Sequence, residues 1–151
     1  MELINALRYI IITHQNMGQN YQFGASLRMW REYFPECHIY GCDILENVIF
    51  QEDRITTCEA DQSCPASLEE MMSKFGKMDF ILDDGSHIEE HQKISFTTLW
   101  KHLNKGGYYI IEDISKNKLD EMSLVNTQFE DCRVRHIHQH DKDGQGFIVL
   151  E

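Results

Sequence analysis

The chain has 151 residues, of which 42% are apolar and 26% charged, and its formal net charge is −11. That length predicts a single domain, residues 1–151, with a sizeable core. The acidic balance argues against a nucleic-acid backbone as partner, because such affinity is supplied by Lys and Arg. The cysteines Cys37, Cys42, Cys58, Cys64 and Cys132 are scattered, odd in number and without a CxxC pair. They read as reduced thiols of a cytoplasmic protein, not as a disulfide frame or a zinc site. No apolar run approaches membrane-spanning length. Leu7 to Thr13 lacks the basic flank and cleavage site of a signal peptide.

Taken in order, Leu7 to Thr13 reads as a strand or as the end of a helix beginning near Leu3, and His14 to Tyr21 as a polar loop. Gly24 to Phe34 carries Leu27, Trp30 and Phe34 on one helical stripe, and Pro35 ends it. His38 to Asp43 predicts a strand with an acid at its end. Arg54 to Glu59 is a short β-rich run followed by Asp61-Gln62-Ser63. Ala66 to Phe75 has helical composition, with Gly76 suited to its C-terminal cap. Met78 to Leu82 predicts a buried strand running into Asp83-Asp84-Gly85-Ser86-His87. Ile88 to Leu103 has helical spacing, and Gly106-Gly107 opens the strand Tyr108 to Asp113. Leu119 to Phe129 is a weaker helix. Arg133 to His138 and Phe147 to Leu150 flank a loop containing Asp143-Gly144-Gln145-Gly146, which predicts a terminal hairpin. The alternation implies an α/β fold: a mostly parallel sheet, helices on both faces, and a C-terminal antiparallel hairpin.

Several strands end in carboxylates, and in a parallel sheet these ends share one edge, where ligands bind. Asp43 suits ribose hydroxyls, with a loop-capping role as the alternative, and Asp61 with Gln62 could read an adenine edge or, equally on spacing alone, form a helix N-terminal turn. Asp84, Glu112 and Asp113 come from two strands. If these are neighbours, three acids converge at a cost that a divalent cation removes, and oxygen ligands suit Mg²⁺, Mn²⁺ or Ca²⁺. His87 is then free to act as a base or to cap the next helix. His136, His138 and His140 alternate and would share one strand face, more simply a solvated edge than a metal site. His102 reads as a surface residue. Trp30 and Trp100 read as core or half-core.

The blocks Gly24 to Pro35, Ile39 to Ile44, Asp61-Gln62-Ser63, Asp83 to His87 and Gly106 to Asp113 resemble the class I S-adenosylmethionine-dependent methyltransferases. More narrowly, they are similar to the metal-dependent sugar O-methyltransferases of macrolide biosynthesis, of the mycinamicin and demethylmacrocin type. The resemblance implies a Rossmann-like fold, S-adenosylmethionine as cofactor, and Mg²⁺ or Mn²⁺ held by Asp84, Glu112 and Asp113. It implies His87 as the general base on a sugar hydroxyl. It places Gly24, Ser26, Asp43, Asp61, Gln62, Ser63 and Asp83 around the cofactor. The acceptor would be a small molecule, a sugar or glycosylated metabolite, with no nucleic acid or membrane involved; a homo-oligomer is left open. The start departs from the pattern: relatives end the first strand with an acid and a glycine, whereas here Gly18-Gln19-Asn20-Tyr21 stands there and no carboxylate lies between Glu2 and Glu32. Segment 1–22 is therefore atypical. The alternative is a noncatalytic binding or scaffold protein of the same fold.

Overall fold

The computed structural model describes residues 8–13, 23–115, 132–137 and 145–150. Its elements are β1 (Arg8–Thr13), α1 (Ala25–Tyr33), β2 (His38–Asp43), β3 (Gln51–Glu52), β4 (Ile55–Glu59), α2 (Pro65–Phe75), β5 (Met78–Asp84), α3 (Glu89–Leu99), β6 (Leu103–Ser115), β7 (Val134–Ile137) and β8 (Gln145–Leu150). The strands form one sheet in the order β3-β4-β2-β1-β5-β6-β8-β7. The central run β4-β2-β1-β5-β6 is parallel. β3 is antiparallel at one border, and β8 with β7 at the other. The connection between β7 and β8 lies outside the described residues, as do segments 1–7 and 14–22, the helix expected over Leu119 to Phe129, His138 and His140, and the side chain of His136.

Pleating divides the apolar residues between two cores. Ile81 of β5 and Tyr109, Ile111 and Ile114 of β6 pack with Leu68, Met71 and Met72 of α2 and Phe96 and Leu99 of α3. Their neighbours Phe80, Leu82 and Ile110 turn the other way, against Leu27 of α1. Each fully buried aliphatic or aromatic side chain contributes roughly 1.5–3 kcal/mol. Trp100 packs on the first core and Trp30 on the second. Helices therefore cover both faces, and every parallel strand delivers its carboxyl end to the same border. The order reverses around β1, where the chain leaves for β2 on one side and returns as β5 on the other, the switch point at which open α/β sheets bind ligands.

Local chemistry sets the element ends. Pro65 begins α2, where its missing N–H costs nothing. Gly76 ends it with φ +76°, donating its N–H to the Met72 carbonyl at 2.7 Å. The helix expected to reach Leu103 stops at Leu99. Trp100–His102 form a 3₁₀ turn, and β6 begins at Leu103, before the two glycines. The two-residue β3 was not expected, and β5 extends to Asp84, so both acids belong to the strand. Among the described residues no helix is long and apolar enough to cross a membrane.

Candidate functional site

At the end of β5, successive side chains point to opposite faces, which separates two adjacent acids. Asp83 turns inward and is fully buried. Its Oδ1 accepts from Gln62 Nε2 at 2.6 Å and from the Gly85 N–H at 3.3 Å, and its Oδ2 accepts from the Ser95 hydroxyl. Gln62 Oε1 in turn accepts from the Ser86 N–H at 3.0 Å. A Cβ on Gly85 would stand 2.4 Å from Gln62 Oε1, so glycine is what lets the amide lie there. Burial pushes Asp83 up to about 6, against the hydrogen bonds that hold it down. Sequence placed Asp83 and Gln62 at the cofactor. In the structure both are buried and bonded to each other, which locks the β4–α2 loop to β5 and α3. Ser95→Ala is expected to cost ~1–3 kcal/mol, since the buried carboxylate loses a donor. A lowered urea midpoint with unchanged slope checks it.

Asp84 faces outward and meets two strained neighbours. Non-glycine residues with positive φ among those described are Arg54, His87 and Asp113, at 54°, 56° and 54°. Arg54 sits at the β3–β4 turn. The other two belong to this cluster, and backbone strain held by the surroundings gathers at functional sites. His87 Nε2 lies 3.2 Å from Asp84 Oδ1 and 3.3 Å from Asp113 Oδ2. Asp84, His87 and Asp113 bring their ligand atoms within 4.8 Å of one another. Asp113 is aimed there by an irregularity in β6: pairing with β8 shifts register between Ile111 and Ile114. Glu112 lies in the same bulge, and its carbonyl accepts from Gln92 Nε2 at 3.0 Å.

The charges are crowded. Burial pushes Glu112 up to about 7, with Asp84 and Asp113 adding to the effect and His87 opposing it. Burial also raises Asp84, while its hydrogen bond to His87 draws it down. The tight cluster is thus Asp84–His87–Asp113. Glu112 is coupled to it by charge and stands outside the closest set. This donor set, two carboxylates in contact range of one imidazole with a third acid alongside, suits a hard divalent cation.

The remaining sequence candidates line the same border. Asp43 ends β2, buried, and its Oδ1 accepts from the Leu45 N–H at 2.9 Å. Beside it Ile44 and Leu45 are exposed apolar residues. Asp61 follows β4. Its Oδ1 accepts from the Ser63 N–H at 2.8 Å and the Ser63 hydroxyl at 2.6 Å, which hold its carboxyl below the usual range. Gly24 precedes α1 with φ +72°, and a Cβ there would stand 2.3 Å from the Phe50 ring. Ser26 lies half-buried in the first turn of α1. Gly24, Leu27, Asp43 and Phe50 bound a cavity of about 10 Å³, room for one water. Arg28 stacks over the Phe50 ring at 4.7 Å and pairs with Glu52 at 2.6 Å, closing this corner.

Sequence reasoning missed Ser95 and Gln92, which look like ordinary polar residues of a helix yet are buried. It missed Phe50, and the contact of Ser86 Oγ with His91 Nδ1 at 2.9 Å. His102, expected at the surface, is half-buried with its Nε2 3.0 Å from Glu69 Oε2. Burial pushes the Cys42 thiol well up and Cys58 up to about 11, so these cysteines stay neutral.

No protein-family model matches the chain. Demethylmacrocin O-methyltransferase of Streptomyces fradiae is 46% identical over 91 residues, 60% of this chain and 23% of that protein. Mycinamicin VI 2''-O-methyltransferase of Micromonospora griseorubida is 43% identical over 91 residues, again 60% of this chain and 23% of that protein. The MycE methyltransferase of the mycinamycin biosynthetic pathway, solved in complex with Mg, S-adenosylhomocysteine and mycinamycin VI, superposes with a TM-score of 0.75. It is 28% identical, and the match covers 97% of this chain and 44% of that one. The chain thus spans less than half the length of these three relatives.

Proposed function

The chain has the class I S-adenosylmethionine-dependent methyltransferase fold and is related to the macrolide sugar O-methyltransferases, and from that premise we propose that it is a divalent-metal-dependent O-methyltransferase acting on a sugar or other vicinal-diol hydroxyl. The observation that carries this reading is the Asp84–His87–Asp113 cluster, two of its members in strained backbone, at the carboxyl border of the sheet. We read residues 1–151 as one methyltransferase-like domain. Asp84, Glu112 and Asp113 would hold Mg²⁺ or Mn²⁺. Such a cation, when bound, polarises a hydroxyl and lowers its pKa. S-adenosylmethionine supplies an activated methyl group, so no covalent enzyme intermediate is required.

The chain's own residues then have separable tasks. The His87 imidazole, braced by Asp84 and Asp113, takes the proton from the acceptor hydroxyl. Asp43 and Asp61 offer carboxylate oxygens to hydroxyl and amine donors of a nucleoside, and the exposed Ile44 and Leu45 offer apolar cover to its ring. Gln62 and Asp83 hold the turn Gly85-Ser86 in place and serve the site from below.

One feature favours the second reading, a noncatalytic protein of this fold: the stretch before α1 has no carboxylate between Glu2 and Glu32 to meet the ammonium group of the cofactor. Losing one charge-assisted hydrogen bond costs roughly 1.5–3 kcal/mol, about ten- to hundredfold in affinity. Adenosine, S-adenosylhomocysteine and S-adenosylmethionine titrated into one Mg²⁺-loaded sample decide the matter. The enzyme reading expects all three to bind, with the amino-acid portion adding less than tenfold to adenosine affinity. Binding of none of the three selects the noncatalytic reading.

A further inference from the structure

At the opposite border of the sheet, where β5 and β6 begin, lies a hollow of about 720 Å³. It is separated from the carboxylate cluster by the length of β5, Met78–Asp84, about 20 Å of extended chain. Its walls include Lys77, Lys105, Arg133, Trp100 and Tyr108. The cations are the unusual part. Among the described side chains Arg28, Arg31, Arg54, Lys74, Lys93 and Lys101 each pair with a carboxylate. Lys77, Lys105 and Arg133 have no such partner among the described residues, and all three open onto this one hollow. In a chain of net charge −11, the uncompensated positive charge of the described side chains is thus collected at a single concave place, where low-dielectric walls focus it. Asp79, at the same strand end, is engaged by Asn104 Nδ2 at 2.8 Å.

The other lining groups suit a flat molecule. The Tyr108 ring is exposed and Trp100 is half-buried. Gly106 has φ +80° and open space where a Cβ would stand, which leaves backbone accessible from the hollow. The volume falls in the range of small-ligand sites, roughly 300–1,000 Å³. Aromatic faces take a planar ring, and a guanidinium with two ammonium groups takes a phosphate or carboxylate.

We propose that this hollow binds a small organic anion carrying a planar ring, independently of the methyltransferase site. The probe is phenyl phosphate, with EDTA present. The chain has 2 tryptophans, so Trp30→Phe leaves Trp100 as the fluorescent reporter, and isothermal titration reads the unaltered chain. The expected result is saturable binding that weakens with salt, is at least about tenfold tighter than for phenol or inorganic phosphate, and falls about tenfold in Arg133→Ala or in Lys77→Ala/Lys105→Ala. S-adenosylhomocysteine does not compete. These three side chains are exposed, so the variants keep the parent melting temperature. Absence of saturable binding, or undiminished affinity when all three cations are replaced, overturns the proposal. So does a concentration-dependent dimer that excludes the probe, since the hollow is then an interface between copies.

Discussion

His87→Asn lowers turnover of a vicinal-diol acceptor by about 10²–10⁴-fold, the range for losing a positioned base. Asparagine is the informative substitution because it tolerates the left-handed conformation that His87 adopts, so the variant keeps its fold and melting temperature. The measurement that separates roles is Mg²⁺ affinity in the same variant. Unchanged affinity with collapsed turnover assigns the imidazole to proton transfer. Lost affinity makes it a metal ligand, which its contacts with Asp84 and Asp113 also permit. Unaltered turnover moves the base elsewhere, and His91, in contact with Ser86, is next in reach.

Metal removal and pH act on the same acids. Asp83 is pushed up to about 6 and Glu112 up to about 7, while Asp84 is also raised. A carboxyl whose folded value is raised keeps its proton in the native state where the unfolded chain has lost it. The native state therefore binds more protons between about pH 4 and 7, and metal-free stability falls as pH rises through that window. The slope is at most about 1.4 kcal/mol per pH unit for each proton. A cation binding the ionised cluster restores stability on the alkaline side, by ~2.7 kcal/mol at a hundred times its dissociation constant. Thermal melts from pH 5 to 8 with Mg²⁺ or EDTA are expected to diverge as pH rises. Asp113→Asn, again matched to a left-handed backbone, closes that gap. Coincident curves for the unaltered chain would count against the metal site.

The sequence displayed this border of the sheet because apolar runs abut acids at Asp43, Asp83-Asp84 and Glu112-Asp113, a local signal that needs no knowledge of pairing. What it hid depends on distant contacts. Gln62 and Asp83 are 21 positions apart and Gln62 and Ser95 33 apart, so nothing in either neighbourhood announces that they bond. Asp83 and Asp84 look equivalent in sequence, and only the pleat of β5 sends one inward. The α3 boundary was misplaced because Trp100–His102 continue helically, in a tighter turn. β3 is two residues long, too short to carry any periodicity. The ring of Phe50 meets Gly24 because the segment before β3 lies against the start of α1, another contact between distant positions.

The irregularity between Ile111 and Ile114 divides the end of β6 into two frames. From Tyr109 to Ile111 its phase is fixed jointly by parallel β5 and antiparallel β8; from Ile114 onward it is fixed by β8 alone. Glu112 and Asp113 occupy the join. Deleting one residue inside 112–113 would leave the first frame untouched and slide the second by one step, turning Ile114 out of the core. A substitution there costs a ligand, whereas a change of length costs the border itself. Families of related chains should therefore vary in residue type on either side of this join far more readily than they vary in spacing across it.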